Sequence, residues 1–148
     1  MPVKLGPAGV PLSCKGRTIV EGMDDIISLG LETMEVQTVR MVAPQHFEQY
    51  WQAGVLAHKT GFEMNIHGPY YSELLGDRLQ RNRSLAKIEA ALQAAKTINA
   101  RHVTLHAGHY GDMSRGQEAN SQVASVFKGI VQRIHDIWND DEDIYPVF

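Results

Sequence analysis

The amino-acid sequence predicts an α/β fold in which four strand–helix units form a parallel sheet, half of a (β/α)8 barrel. Short apolar segments alternate with longer segments of helical periodicity, and this order is typical of parallel sheets with right-handed crossovers. Each repeat is close in length to the roughly 30-residue unit of such a barrel. An apolar segment at residues 144–148 follows an acidic cluster at 140–143 and is expected to approach a fifth strand.

Four strands are predicted: a short one within residues 4–12 that runs into a Gly- and Pro-rich loop, and three longer ones at residues 31–39, 62–67 and 101–106. In the second, alternation places Met34 and Val36 on one face and Glu35 and Gln37 on the other. The third and fourth strands share a pattern, because each ends in a histidine that is followed by a small residue and, at the fourth position, by a tyrosine.

The helices are indicated by capping residues and by apolar residues at helical spacing. The first begins at a capping box of Thr18 and Glu21, and the second has Pro44 in its first turn. The third is expected to begin at a cap on Asn82 or Ser84. The predicted buried faces are Ile19, Val20, Met23, Ile26 and Ile27 in the first helix; Phe47, Trp51 and Val55 in the second; Leu85, Ile88, Leu92 and Ala95 in the third; and Val123, Val126, Phe127, Ile130, Ile134 and Ile137 in the fourth.

Composition limits the class of protein. The 148 residues are 43% hydrophobic and 21% charged, which is ordinary for one globular domain. No apolar run reaches the length of a membrane span, and the N-terminus lacks a signal-peptide core, so a cytoplasmic protein is expected. The single cysteine, Cys14, agrees with a reducing compartment. No P-loop, GxGxxG, CxxC or HExxH motif is present.

The strongest candidates for chemistry are His67 and His106, at the carboxyl ends of successive predicted strands. Neighbouring parallel strands lie about 5 Å apart, so both rings can reach one metal ion. The alternative is two histidines that hydrogen-bond only to loop backbone. Zinc normally takes three or four protein ligands. His109 follows His106 in the loop and is expected to support the ligands through hydrogen bonds or to be exposed.

Other polar and aromatic residues fall on the same rim. Glu35 and Gln37 are unusual in an otherwise apolar strand, and they are predicted either to support a metal-bound histidine or to satisfy loop amides. The tyrosines just beyond the strand ends can stack on a base or sugar, or simply pack in loops. Basic residues can bind phosphate there, or form a solvated charged face. These residues are Tyr70, Tyr71 and Tyr110, and Lys15, Arg17, Arg40, Arg78, Arg81 and Arg83.

Three stretches resemble the endonuclease IV family: residues 66–71 (IHGPYY), residues 100–108 (ARHVTLHAG), and residues 5–11 (LGPAGVP) together with Glu35-Val36-Gln37. The resemblance implies a (β/α)8 barrel with a trinuclear zinc site that hydrolyses the phosphodiester 5′ to an abasic site in DNA. It also implies that His67 and His106 bind the same zinc. Tyr70 and Arg40 match loop positions that probe the DNA.

The same resemblance implies that part of the site is missing. The family's bridging glutamate on strand five and its later ligands have no counterpart in residues 1–148, and Glu73 stands near the position where many members have asparagine. We therefore expect a single-domain N-terminal half-barrel, truncated before strand five and inactive alone as a nuclease, with no catalytic residue assigned. The alternatives are a sugar isomerase or epimerase with one divalent metal, and a non-catalytic half-barrel that forms a homodimer or pairs with another chain.

Overall fold

The computed structural model describes residues 3–106, 108–110, 116–138 and 145–147. A parallel sheet runs in the order β1 (Thr33–Gln37), β2 (Glu63–His67), β3 (His102–Thr104) and β4 (Tyr145–Val147). The helices are α1 (Ile19–Ser28), α2 (Phe47–Thr60), preceded by a 3₁₀ turn at Pro44–His46, α3 (Arg78–Thr97) and α4 (Gln117–Trp138). The predicted half-barrel fold is confirmed. The segment that was expected to approach a fifth strand contains β4; its number is one lower because the first predicted strand is not a strand in the structure. The acidic cluster at 140–143 lies outside the described residues.

The first predicted strand is reduced to a single parallel bridge between Ala8 and Glu35. The backbone amide of Gly9 donates to the carbonyl of Glu35 at 2.8 Å, and the amide of Glu35 donates to the carbonyl of Pro7 at 3.1 Å. The short first strand predicted within residues 4–12 forms only this bridge and no ladder, because Pro7 and Pro11 carry no N–H donor. The segment nevertheless lies beside β1, where the first strand of a barrel belongs.

The capping box of α1 is confirmed. The Thr18 hydroxyl accepts from the Glu21 amide at 3.2 Å, and Glu21 accepts from the Thr18 amide at 3.0 Å. The hydrogen bonds from the Thr18 hydroxyl, then its amide, hold the pKa of Glu21 below its ordinary value of 4.5. Because folding lowers this pKa, ionised Glu21 stabilises the folded state. The stabilisation is complete above the ordinary pKa and is lost as the pH falls through the lowered pKa.

The buried face of α2 differs from the predicted one. Trp51 is 58% exposed, whereas Tyr50, Ala53 and Ala57 are buried. The reason is a close approach between helices: a Cβ on Gly54 would lie 2.7 Å from the backbone oxygen of Thr97 at the end of α3. Small residues therefore face α3, and the large indole points to solvent.

Two mid-helix glycines provide a matched test of this close approach. Gly54→Ala is expected to lower the free energy of unfolding by about 1–3 kcal/mol because the new methyl collides with backbone. Gly129→Ala in α4 meets no atom within 4 Å and is expected to raise it by about 0.5–1 kcal/mol through helix propensity. Urea denaturation of both variants measures the two effects, and a gain in stability for Gly54→Ala would contradict the packing described.

The start of α3 was also misplaced. The helix begins after Asp77, which forms a capping box with Gln80, rather than at Asn82 or Ser84. Ser84 is buried inside the helix, where its hydroxyl donates to the Gln80 carbonyl at 2.9 Å and accepts from the Glu73 amide at 2.8 Å. Asn99 follows the helix with a φ of 54°, and this left-handed residue ends it.

The core lies between the outer face of the sheet and the helices. Met34, Met64, Ile66 and Val103 point outward from the strands and are buried, as are Ile26 of α1, Ile88 and Leu92 of α3, and Ile130 and Ile134 of α4. The other face of the sheet carries Thr33, Glu35 and Gln37 from β1, Glu63, Asn65 and His67 from β2, and His102 and Thr104 from β3. Across β1, β2 and β3 this inner face is polar. Within the described ranges no helix has the length and apolar character needed to cross a membrane.

Candidate metal site

The site lies at the carboxyl ends of β1, β2 and β3. The parallel register pairs Gln37 with His67 and His67 with Thr104, so their side chains share the top layer of the inner face. His106 follows β3 by two residues. Carboxyl ends of parallel strands are where barrel enzymes place their functional groups.

The two predicted ligand histidines are in direct contact. Nε2 of His67 lies 2.8 Å from Nε2 of His106, and the ring centroids are 4.9 Å apart. The sequence prediction that these side chains meet at neighbouring strand ends is therefore confirmed as geometry, while their role as metal ligands stays a prediction.

Glu35 orients the first of these rings. Its Oε2 lies 3.2 Å from Nδ1 of His67, and both side chains are only about a quarter exposed, at 27% and 30%. A carboxylate accepts the Nδ1–H, which leaves the Nε2 lone pair of His67 directed at His106. His106 then donates its Nε2–H in the hydrogen-bonded pair. A carboxylate behind an imidazole is the usual support of a metal-binding histidine.

The donor set fits a metal as part of a site. Two neutral imidazole nitrogens that face one point suit zinc and related divalent ions, provided that the Nε2 proton of His106 moves to its Nδ1 when the metal binds. Across the described part of the chain, no group of three or more His, Cys, Asp or Glu side chains is placed to hold an ion. The predicted ligands in this part of the chain therefore number two, His67 and His106, one fewer than a catalytic zinc site normally takes from protein.

A cavity of about 330 Å³ opens directly above the histidine pair and is called the histidine cavity below. The ring of Tyr70 stands edge-on to His106 with centroids 4.7 Å apart, and Tyr71 packs edge-on against Tyr70 at 5.1 Å. The Tyr70 amide donates to the carbonyl of Val39 at 3.1 Å, which ties this loop to the end of β1. The lining residues are Gln37, Thr38, Val39, His67, Gly68, Tyr70 and His106.

The remaining predicted residues are less central. Arg40 is exposed on the bend after β1, and His109 is exposed in the loop after β3; neither lines the histidine cavity. Their predicted roles at DNA and behind the ligands stay predictions. Arg81 has a structural function, since its guanidinium donates to the carbonyls of Leu74 at 3.1 Å and Gly76 at 3.2 Å.

Sequence reasoning missed a second chain of hydrogen bonds one layer lower. The Thr33 hydroxyl donates to the Glu63 carbonyl at 2.8 Å, and the side-chain amide Nδ2 of Asn65 donates to the Thr33 hydroxyl oxygen at 3.3 Å. Oδ1 of Asn65 therefore faces Nδ1 of His102 at 3.0 Å and accepts its proton. His102 is left with an Nε2 lone pair on the inner face. Strand alternation could have revealed this layer. Thr33, Asn65 and His102 lie two positions before Glu35, His67 and Thr104, so they point to the same face of the sheet.

A parallel half-barrel with polar side chains gathered at the carboxyl ends of its strands places the chain in the TIM-barrel class. Comparison of sequences is more specific: residues 23–137 match the family described as xylose isomerase-like TIM barrel, and the chain belongs to that family. A search of curated proteins gave no match.

Three solved structures share the fold. Endonuclease IV from Thermus thermophilus matches 95% of this chain and 50% of its own length, at 16% identity and a TM-score of 0.59. A D-psicose 3-epimerase crystallised in the presence of D-fructose matches 91% of this chain and 50% of its own, at 14% identity and a TM-score of 0.63. The TTHB071 protein, also from Thermus thermophilus and soaked with ZnCl2, matches 80% of this chain and 48% of its own length, at 19% identity and a TM-score of 0.58.

The chain thus spans about half the length of these structures. At such identities the similarity establishes the barrel fold and does not distinguish a nuclease from an epimerase. The choice between these activities depends on the residues of the site itself.

Proposed function

We propose that this chain carries one part of the metal site of an endonuclease IV-like enzyme that hydrolyses the phosphodiester at abasic sites in DNA. The observation that supports the proposal best is the 2.8 Å approach of the His67 and His106 Nε2 atoms, with Glu35 behind His67. Cytoplasmic action on DNA agrees with the single unpaired cysteine.

Each side chain has a defined task in this proposal. His67 and His106 hold zinc, which when bound supplies a Lewis acid for a phosphoryl oxygen and lowers the pKa of a bound water. Glu35 keeps the Nδ1 proton of His67 in place, so that the opposite nitrogen is always the ligand. Tyr70, 45% exposed at the cavity mouth, presents a ring to the sugar or base beside the scissile bond. Arg40, exposed after β1, contacts the DNA backbone.

Two imidazoles cannot complete this chemistry, because phosphodiester hydrolysis needs an activated water and clamped phosphate oxygens. We therefore propose that the 148-residue chain binds abasic DNA without cleaving it. Fluorescence anisotropy with a duplex containing a tetrahydrofuran abasic analogue, at several salt concentrations, is expected to show tighter binding than to the undamaged duplex.

Matched variants make this test specific. Tyr70→Ala is expected to remove the preference for the abasic duplex, whereas Trp51→Ala, at an exposed aromatic on α2, is expected to leave it intact. Equal affinity of the unmodified chain for damaged and undamaged duplexes would contradict DNA recognition. Robust, EDTA-sensitive cleavage with added zinc would contradict the proposed inactivity.

The second candidate is a sugar isomerase or epimerase with one divalent metal. It is favoured by the polar inner face, where Glu35, Asn65 and His102 can hydrogen-bond to hydroxyl groups, and by the shared fold of the D-psicose 3-epimerase. Stabilisation of the chain by D-fructose with no affinity for DNA would select this activity. A third alternative is a non-catalytic homodimer that completes the sheet, which sedimentation would detect as a dimer that binds neither ligand.

A further inference from the structure

A second cavity of about 380 Å³, called the arginine cavity below, lies beside the histidine cavity. Gln37 and Val39 line both cavities, so the two spaces are neighbours at the carboxyl end of β1.

The arginine cavity has a polar opening and an apolar base. Arg17, His46 and Gln37 line it and are exposed, and Gln49 is half-buried. Its base is formed by buried side chains, among them Met34 and Val36. Together these residues surround the opening with hydrogen-bond donors and one permanent positive charge.

No carboxylate is among the described residues that line this cavity. Glu21 lies on the following turn of the chain, but its Oε2 accepts from the backbone amides of Arg17 at 3.1 Å and Thr18 at 3.0 Å. That carboxylate is held by the start of α1, and no ion pair joins it to the guanidinium within the described part of the chain. The positive charge of Arg17 is thus available to a ligand.

Tyr50 adds a neutral donor to the cavity. It lines the space and is 5% exposed, and its burial raises the pKa of the phenol above the ordinary value of 10.0. A phenol is protonated at neutral pH, and burial reinforces this, so the hydroxyl can donate a hydrogen bond to an oxyanion.

We propose that the arginine cavity binds the phosphate group of an organic phosphate, with Arg17 as the charge partner and His46 and Gln49 as hydrogen-bond donors. Planar guanidinium groups bind phosphate oxygens in a bidentate manner, which makes arginine the favoured side chain for this task. The phosphate belongs either to a nucleic-acid backbone or to a sugar phosphate. That its neighbouring group reaches His67 and His106 rests on the proposed function, whereas phosphate binding itself does not.

The experiment is an NMR titration of the metal-free 148-residue chain in EDTA. The probes are thymidylyl-(3′→5′)-thymidine, fructose 6-phosphate and inorganic phosphate, and the signals followed are the Arg17 Nε–H, the His46 ring and the backbone amides. Arg17→Gln is expected to weaken binding about tenfold by removing a charge-assisted hydrogen bond. Lys15→Gln removes the same charge from the same loop outside the cavity and is expected to change the affinity less than twofold.

The outcomes separate this proposal from the metal site. Tighter binding of the dinucleotide supports a nucleic-acid backbone phosphate as the ligand, and tighter binding of fructose 6-phosphate supports a sugar phosphate. Either result supports phosphate binding in the arginine cavity. Equal losses of phosphate affinity in Arg17→Gln and Lys15→Gln, or no NMR shift with any probe, overturn the proposal. A His67→Ala, His106→Ala double variant is expected to keep phosphate affinity within twofold, and loss of that binding would place the phosphate at the histidines instead.

Discussion

Replacing His67 with alanine is expected to lower the affinity of the chain for zinc by about 100-fold or more. The chain offers two imidazole nitrogens 2.8 Å apart, and one remaining imidazole binds an ion no better than an isolated surface histidine. His106→Ala is expected to give the same loss, because the two rings act as one chelate. Isothermal titration calorimetry at neutral pH, with a competing chelator if needed, measures the change.

Two further variants make the experiment specific. Glu35→Gln retains a hydrogen-bonding side chain but removes the carboxylate that holds the Nδ1 proton of His67. It is expected to lower the zinc affinity by about 10- to 100-fold. His58→Ala removes an exposed histidine of α2 and is expected to change the affinity less than twofold. If His58→Ala and His67→Ala lowered the affinity equally, zinc would be binding at scattered surface histidines and the paired site would be excluded.

The positions of the site residues could be predicted because they depend on simple periodicities. Alternation along a strand placed Glu35 and Gln37 on one face, and the rule that parallel strands end at one edge placed His67 beside His106. What could not be predicted was the partner of each polar group. Whether Glu35 reached an imidazole or a loop amide depended on register between β1 and β2, which no local pattern contains.

The errors in the fold have the same origin. Trp51 occupies a position with helical spacing relative to Phe47 and Val55, but the neighbouring helix end selects the side that carries Gly54. The start of α3 was misjudged because three polar residues could each cap it, and only the fold of the preceding loop shows that Asp77 does. Contacts between elements decided both cases, and a single sequence does not record them.

The second large effect concerns stability and not chemistry. Ile66→Ala is expected to lower the free energy of unfolding by about 3 kcal/mol, because Ile66 is fully buried on the outer face of β2 and its truncation leaves a cavity. Leu79→Ala, at a side chain 58% exposed on α3, is expected to change it by less than about 0.5 kcal/mol. Thermal or urea denaturation in EDTA compares the two variants without a contribution from bound metal.

The position of Ile66 also predicts what its replacement will leave unchanged. It directly precedes His67, but alternation along β2 sends the two side chains to opposite faces of the sheet, so the contacts of the imidazole with Glu35 and His106 do not involve the isoleucine. Under conditions where Ile66→Ala is folded, its zinc affinity is expected to stay within about threefold of the unmodified chain. A loss as large as that of His67→Ala would show that outer-face packing, and not the carboxylate on the inner face, holds the histidine pair together.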